Sequence, residues 1–371
     1  MRLSALGDVI HALPVAHALR QALTTAHITW VVEAREQAIL EVRRRLIDAK
    51  LDVVLDLQGL VKSGLLTGLS GARLRVGFSR RFCRESLNIC FTNARVTPPP
   101  SARHVVEQYL ALLSPLRIEP KEIAFPIAPN VAVERRMSDF LNEQGVKPSD
   151  LLIGLNPGAG WLEKCWPLAA HGQLAQRLSM EAGARILLLW GPGEDHLAKA
   201  VSESTTIRPI FAPHTTLPEL AALLKRCHLV IGSDTGPIHL AAALGVRTIG
   251  LYGPTSARRN GPYGGHARAI QSVTGSMAGI PVASVFETAL EYVKSEKTMT
   301  GSLEARGLIN PGGGGPGSFA VSSAGFARAI LGGGSPPWTG SSGRDGCRAC
   351  PPPRKDGGAV GAHPSGRRGG G

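Results

Sequence analysis

Short β-branched segments alternate with longer helical segments along most of this chain. The strand-like segments cover 27–33, 51–57, 152–155, 185–190, 229–231 and 246–252. Apolar residues at helical spacing predict helices over 8–23, 38–50, 167–182, 194–204, 217–227, 237–244 and 283–295. Because strands that alternate with helices build parallel sheets covered on both faces, the sequence predicts an α/β fold.

The alternation stops near residue 297, and the length before that point allows two domains of about 150 residues each. Two prolines in FPIAPNV at 125–131 and a polar stretch over 141–150 indicate a boundary, so we expect domains over 1–140 and 150–297. Residues 301–371 contain 21 of the 45 glycines and 8 of the 27 prolines. Such a segment cannot bury enough apolar surface to offset its ordering entropy, so we expect 298–371 to be a disordered tail.

Charge narrows the class of protein. The chain has 41 basic and 28 acidic residues, a net charge of +13, and the residues before 301 contribute +8 of it with 33 basic and 25 acidic side chains. This excess favours anionic partners: a nucleotide, a phosphorylated lipid surface or nucleic acid. Only 5% of the residues are aromatic, which argues against a base-stacking platform for nucleic acid.

No segment resembles a membrane span, a secretion signal or a disulfide framework. The longest apolar runs are far shorter than the roughly 20 residues that cross a bilayer, and Asp8 interrupts the one signal-like stretch. The six cysteines are scattered, and the CxxC formed by Cys347 and Cys350 has no second pair beside it. We therefore expect a cytoplasmic protein without a structural zinc site.

The first candidate group is Asp8, which follows Gly7 at the start of the first predicted helix in SALGDVIHALP (4–14). Open α/β sheets bind ligands at the carboxyl ends of their strands, where a helix that follows a strand begins. The alternative is an ordinary helix-capping aspartate that binds orphan N–H groups.

A second candidate lies in NPGAGWLEKCWP (156–167), between a predicted strand and a predicted helix. Gly158 and Gly160 allow main-chain N–H groups to face an anion, and the Lys164 ammonium would neutralise a pyrophosphate. The P-loop and dinucleotide-binding patterns are absent from this loop. A flexible loop with a surface lysine is the alternative.

The third candidate is IGSDTGPIHL (231–240), where a proline suited to a first helical turn follows Asp234, Thr235 and Gly236. That helix start offers N–H groups to phosphate, whereas Asp234 would repel phosphate and suits sugar hydroxyls. His239 either faces the same cleft or is a packed, hydrogen-bonded histidine. Two phosphate-binding loops in one predicted domain indicate a nucleoside diphosphate that carries a sugar.

These motifs, together with LDLQGLVKSG (55–64) and LYGPT (251–255), resemble in order and spacing the bacterial ADP-heptose:lipopolysaccharide heptosyltransferases, glycosyltransferase family 9. The resemblance covers about 3–297 and is greatest to members that add the first heptose of the inner core. It implies a GT-B fold, in which two Rossmann-like domains with parallel sheets face each other across a cleft. The acceptor site would lie in the first domain and the donor site in the second.

The resemblance implies a role for each candidate. Asp8 matches the catalytic base, which takes the proton of a Kdo hydroxyl as that oxygen displaces ADP from heptose with inversion. Lys164 matches the lysine that binds the donor diphosphate, and Asp234 matches the acid that binds heptose hydroxyls. The resemblance implies that the reaction needs neither a metal nor a cofactor. It also places Gly158, Gly160, Thr235, Gly236 and His239 at the donor.

Three further assignments rest on the resemblance alone. Glu219 lies near the place of the family's ribose-binding residue, and Lys62 and His104 match acceptor-side motifs. Lys62 would meet a Kdo carboxylate or a lipid A phosphate; a solvated surface lysine is the alternative. The implied partners are ADP-heptose, Kdo2-lipid A and the anionic cytoplasmic face of the inner membrane, with no nucleic acid.

The sequence departs from the family in its first domain. Three residues precede SALGD, and the segment between 33 and 51 is shorter than in the family, so we expect a truncated first domain with an internal deletion. The alternatives are a second heptosyltransferase, a related nucleotide-sugar transferase, or a nucleotide-sugar-binding protein with impaired catalysis.

Overall fold

Two parallel sheets and their covering helices account for the described part of the chain. The structure, a computed structural model, describes residues 6–31 and 39–305. The first sheet has the order β1-β2-β3, and the second has the order β6-β5-β4-β7-β8-β9, with every neighbouring pair parallel. The strands are β1 (Val53–Leu55), β2 (Leu74–Phe78), β3 (Ala94–Val96), β4 (Leu152–Asn156), β5 (Arg185–Leu188), β6 (Ile210–Phe211), β7 (Leu229–Ser233), β8 (Thr248–Tyr252) and β9 (Ala267–Gln271). The predicted α/β class with parallel sheets is confirmed.

The helices agree with most of the predicted helical segments. Those in the described residues are α1 (Leu6–Ala22), α2 (Ile39–Asp48), α3 (Val61–Leu69), α4 (Val105–Ala111), α5 (Val131–Glu143), α6 (Leu168–Ala182), α7 (Asp195–Glu203), α8 (Leu217–Arg226), α9 (Gly236–Ala243), α10 (Ala257–Asn260) and α11 (Val282–Ala305). α11 extends past its predicted end at 295, and the rest of the predicted tail, 306–371, lies outside the described residues. No helix within 6–31 or 39–305 is long and apolar enough to cross a membrane.

The second sheet has the strand order of a dinucleotide-binding fold, with three strands on each side of its centre. Successive side chains of its central strand enter opposite cores: Leu152 packs on one face, and Ile153 and Leu155 pack on the other. All residues of β4, β7 and β8 are buried. Because helices cover both faces of this sheet, its strands are nearly continuous apolar runs in the sequence.

Helix α1 packs against both sheets. Ile10 is buried in the core of the second sheet, whereas Ala12 and Val15 are buried in the core of the first. The starts of α1 and α9 touch, because a Cβ on Gly7 would lie 2.7 Å from His239 Cδ2 and a Cβ on Gly236 would lie 2.8 Å from the Leu6 Cβ. This close approach places the first candidate motif beside the third.

The strand predicted over 27–33 is wrong for residues 27–31, which have no regular structure. A strand needs a partner ladder, and among the described strands β1 pairs only with β2. Residues 26–31 instead line a mainly apolar cavity of about 380 Å³ beside β1 and α1. Residues 32–38 lie outside the described part.

Candidate active site

The site centres on the carboxyl ends of β4 and β7, which are adjacent in the middle of the second sheet. The connections that follow these two strands run to opposite sides of the sheet, and an open parallel sheet binds ligands at such a point. Asn156 joins the two loops there, since its Nδ2 donates to the Gly158 carbonyl at 3.0 Å and to the Thr235 hydroxyl at 3.2 Å. The second and third candidate motifs therefore meet.

Both loops line a cavity of about 380 Å³, a volume in the range of small-molecule sites. Gly158, Gly160, Thr235 and Gly236 are among its lining residues, whereas Lys164, Asp234 and His239 are not among the described residues that line it. Thr235 is the N-cap of α9, so the first-turn N–H groups of that helix begin at the cavity wall. A helix start of this kind attracts anions. The apolar part of the wall is formed by Leu189, Trp190, Leu217 and Leu220.

Lys164, Asp234 and His239 form one cluster, in which His239 is buried and the other two residues are half-buried. Lys164 Nζ donates to Asp234 Oδ2 at 2.8 Å, and His239 Nε2 lies 3.0 Å from Asp234 Oδ1. The Lys164 side chain is only 18% exposed, so it is not a solvated surface lysine. Burial alone would raise the pKa of Asp234, but hydrogen bonds and positive charge from His239 and Lys164 lower it to about 2. The carboxylate therefore stays ionised and can accept bonds from hydroxyl groups.

His239 also contacts a residue that the sequence analysis did not single out. His11 Nε2 lies 3.2 Å from His239 Nδ1, and the two residues are 228 positions apart. Both side chains are buried, with 4% exposure for His11 and 5% for His239. His239 is therefore a packed, hydrogen-bonded histidine that contacts Asp234, and it is not among the described residues that line the cavity.

Asp8 lies in the first turn of α1, with its side chain 24% exposed and its Oδ1 4.0 Å from Arg84 Nη2. Leu6, two positions earlier, lines the cavity of the second sheet. An acidic residue in a first turn also stabilises the helix dipole, so the capping and catalytic interpretations are compatible in geometry. Arg84 was not predicted; its signal in the sequence is the basic run SRRFCR (79–84).

A buried carboxylate holds the loop that leads to Lys62. Asp56 is fully buried and accepts hydrogen bonds from the Gln58 and Gly59 N–H groups, from the Ser63 hydroxyl at 2.9 Å and from Asn88 Nδ2 at 2.6 Å. This network fixes the start of α3, where Lys62 is exposed in the first turn.

His104 uses both of its ring nitrogens in protein contacts. Its Nδ1 accepts from the Val106 N–H at 3.2 Å, so its Nε2 carries the proton and donates to the Gly261 carbonyl at 2.8 Å. Burial lowers the pKa of this histidine, which favours the neutral ring. His104 thus joins the start of α4 to the loop after α10. Both of its ring nitrogens are used in these protein hydrogen bonds.

Glu219 is not among the described residues that line the cavity. Its carboxylate accepts from the Thr216 N–H at 2.7 Å and the Thr216 hydroxyl at 2.6 Å in a capping box, and it pairs with Arg136. Hydrogen bonds from Thr216 lower the pKa of Glu219. Glu219, which the resemblance places near the ribose, therefore caps the start of α8 in this structure.

Among the described residues, Glu194 is the one carboxylate that lines the cavity, and no sequence motif predicted it. Its Oε2 accepts from the Gly191 N–H at 2.9 Å, and its carboxylate packs against Gly158 so closely that a Cβ there would overlap it. The signal for Glu194 is its place in WGPGED (190–195), directly after a buried strand. No group of three or more His, Cys, Asp or Glu side chains among the described residues could hold a metal ion.

Fold and site together define a class of protein. A parallel sheet of dinucleotide-binding topology has a cavity of about 380 Å³ beside the ends of its central strands, and a helix packed on both sheets contributes Leu6 to the wall of that cavity and carries Asp8 two residues later. The start of α9 lies on the cavity wall, and Asp234, which Lys164 and His239 contact, directly precedes its N-cap Thr235. This is the arrangement of a GT-B glycosyltransferase.

Known proteins identify the family. The family described as glycosyltransferase family 9 (heptosyltransferase) matches residues 39–286, and the chain belongs to this family. Lipopolysaccharide heptosyltransferase 1 of Pseudomonas aeruginosa is 28% identical over 300 residues, covering 71% of this chain and 80% of that protein. The structure of Escherichia coli heptosyltransferase WaaC with ADP is 25% identical with a TM-score of 0.59, covering 79% of this chain and 100% of the other.

A further solved structure, E. coli ADP-heptose lipopolysaccharide heptosyltransferase II, has 22% identity and a TM-score of 0.63, covering 80% of this chain and 98% of that chain. This likeness shows the fold. The predicted GT-B fold, membership of the heptosyltransferase family and glycosyltransferase activity are confirmed.

Proposed function

We propose that this enzyme transfers heptose from ADP-heptose to a Kdo residue of Kdo2-lipid A during assembly of the lipopolysaccharide inner core. The observation that supports this most is the contact between the starts of α1 and α9. It brings the helix that carries Asp8 against the cluster of Lys164, Asp234 and His239. Relatives named lipopolysaccharide heptosyltransferase 1 support the same substrates.

The donor would occupy the cavity of the second sheet. Its diphosphate would bind the start of α9 at Thr235 and Gly236 together with the Lys164 ammonium, since both supply positive charge. The Asp234 carboxylate would accept hydrogen bonds from heptose hydroxyls. Glu194, in place of Glu219, would bind the ribose hydroxyls, and Trp190 would pack against the adenine ring on the apolar wall.

The reaction would be a single displacement. The Asp8 carboxylate removes the proton from a Kdo hydroxyl while that oxygen forms a bond to the anomeric carbon of heptose. The bond from this carbon to the diphosphate oxygen breaks, and ADP leaves with its electron pair. Because attack and departure occur on opposite faces, the anomeric configuration inverts. Lys164 and the start of α9 stabilise the charge on the leaving diphosphate.

The acceptor would bind the first-sheet side of the cleft. Lys62 and Arg84 supply positive charge for Kdo carboxylates or lipid A phosphates, and His104 holds the start of α4 in place on the same side. We place the enzyme on the cytoplasmic face of the inner membrane. A basic chain is attracted to an anionic bilayer there.

The test is to incubate the purified chain with ADP-heptose and Kdo2-lipid A, and to measure ADP release and the mass gain of the lipid. Release of one ADP per heptose added supports the proposal. Lys164→Ala should weaken donor binding, measured by calorimetry, whereas Lys199→Ala on the surface of α7 should not.

The alternatives give different results in the same assay. Transfer only to an acceptor that already has a heptose would identify a second heptosyltransferase. Tight donor binding without turnover on either acceptor would indicate that catalysis is impaired, and would contradict the proposed activity.

A further inference from the structure

The contact between His11 and His239 joins the two sides of the proposed site through buried polar atoms. His11 lies one helical turn after Asp8 on α1, and His239 lies in the first turn of α9. The rings are 4.2 Å apart between centroids with an interplanar angle of 63°, and the nitrogens are 3.2 Å apart. If one partner of a buried hydrogen bond is removed, the other partner is left without a hydrogen bond, which costs free energy of folding. The contact between His11 and His239 therefore contributes to stability.

The ionised Asp234 carboxylate fixes the direction of its hydrogen bond with His239. It only accepts, so His239 Nε2 carries a proton and donates to Asp234 Oδ1. His239 Nδ1 faces His11 Nε2 at 3.2 Å, so one nitrogen of this pair donates a hydrogen bond to the other. The chain of bonds therefore runs from His11 through His239 to Asp234, whose other oxygen is bound by Lys164.

The backbone around this chain of bonds leaves His239 little room to rotate. Gly7 packs directly against the His239 ring, and Gly236 packs against Leu6. His104 closes another side of His11, with ring centroids 5.5 Å apart in an edge-on arrangement. His11 is thus the group from α1 that determines which way the His239 ring faces.

We propose that His11 is a positioning residue: it orients His239, and through it the Asp234 carboxylate, toward the donor sugar, and keeps the turn carrying Asp8 beside that sugar. Neither histidine needs to touch the reacting atoms for this role. The inference rests on the proposed function in its assignment of Asp234 to the heptose hydroxyls.

The test compares three variants. His11→Leu removes the hydrogen bond but keeps the bulk, and His11→Gln keeps an N–H donor at a similar reach. His17→Leu is the matched control on the same helix, since His17 contacts Glu122 outside the cleft. We expect His11→Leu to raise the KM for ADP-heptose and lower kcat, together by about tenfold in kcat/KM, as for one buried hydrogen bond. His11→Gln should recover most of this loss, and His17→Leu should match the wild type.

A ligand-free measurement tests the bond itself. In protein labelled with ¹⁵N-histidine, His11→Leu should shift the His239 Nδ1 resonance, whereas His17→Leu should leave it unchanged. This measurement needs no donor, so it decides the contact even if the wild-type chain transfers no heptose. In that case calorimetry with ADP-heptose replaces KM.

Two results would overturn the inference. One is an unchanged His239 resonance and unchanged kinetics in a folded His11→Leu protein. The other is an equal loss in His11→Leu and His11→Gln, which would show that only the volume of the side chain matters. Circular dichroism and thermal melting confirm that each variant is folded.

Discussion

Asp8 is the one acidic residue on α1; it lies in the helix-stabilising first turn, two positions after Leu6, which lines the cavity of the second sheet. Replacing it by Asn keeps the size and removes the base. We expect Asp8→Asn to lower kcat by about 10²–10⁴-fold, the usual contribution of a general base, with donor affinity unchanged. The measurement is steady-state ADP release together with calorimetric binding of ADP-heptose.

Asp195→Asn provides the control, because Asp195 is an exposed acid in the first turn of another helix, α7. If Asp8 only stabilises its helix, Asp8→Asn will reduce the melting temperature about as much as Asp195→Asn does and leave kcat intact. That outcome would contradict the role as base.

His171 provides a pH-dependent stability term. It is fully buried against Trp166, neither ring nitrogen has a partner in the structure, and burial lowers its pKa to about 3. The unfolded chain protonates this histidine below about pH 6.5, so the unfolded state binds more protons between that pH and 3. Stability is therefore lost as the pH falls through this range, by up to about 1.4 kcal/mol per pH unit for one proton.

His171→Phe keeps an aromatic ring and removes this proton site. Urea unfolding at pH 7.5 and pH 5.0 should show a smaller acid-induced loss of stability in the variant, by about 2 kcal/mol. Equal losses in both proteins would mean that His171 is accessible to protons in the folded state.

At the scale of elements, the contact between α1 and α9 depends on glycine. Gly7→Ala would place a Cβ 2.7 Å from His239 Cδ2, so the ring must move. We expect a destabilisation of about 1–3 kcal/mol, typical of overpacking, together with weaker donor binding because His239 holds Asp234. Thermal melting and calorimetry measure the two effects.

Gly265→Ala is the control for that substitution, since a Cβ at Gly265 meets nothing within 4 Å. If Gly7→Ala loses stability but keeps its affinity for the donor, the contact between α1 and α9 does not support donor binding. That result would contradict the prediction.

The elements that the sequence predicted well are the strands that are buried along their whole length. β4, β7 and β8 are buried throughout and are apolar runs, so their approximate bounds could be predicted. β2 and β3 were missed because arginines interrupt them and the first is only half-buried at its start. The predicted strand was wrong over 27–31 because β propensity alone cannot supply a neighbouring strand to pair with.

The residues of the candidate site also fall into those that sequence motifs indicate and those that only the structure shows. Motifs at strand ends indicated Gly158, Thr235 and Asp234, because the topology of a parallel sheet dictates that such loops converge. His11 could not be found in this way, since its partner lies 228 positions away. Glu194 and Glu219 both follow glycine- or threonine-containing turns, and only the three-dimensional arrangement shows which one faces the cavity.

At the scale of the whole molecule, α1 connects the two halves of the proposed chemistry. Ile10 belongs to the core of the second sheet, and Ala12 and Val15 belong to the core of the first. The proposed donor and acceptor sides therefore share one helix, which carries both Asp8 and His11. In the proposed mechanism, the packing of that helix sets the distance between the base and the donor.

The most direct test of this account is a crystal structure with ADP-2-deoxy-2-fluoro heptose, the ligand in a solved E. coli heptosyltransferase structure. We predict its diphosphate at Thr235, Gly236 and Lys164, its sugar hydroxyls on Asp234, and its anomeric carbon facing Asp8 with room for one acceptor oxygen between them. A donor bound with its anomeric carbon turned away from Asp8, or bound outside the cavity of the second sheet, would contradict it.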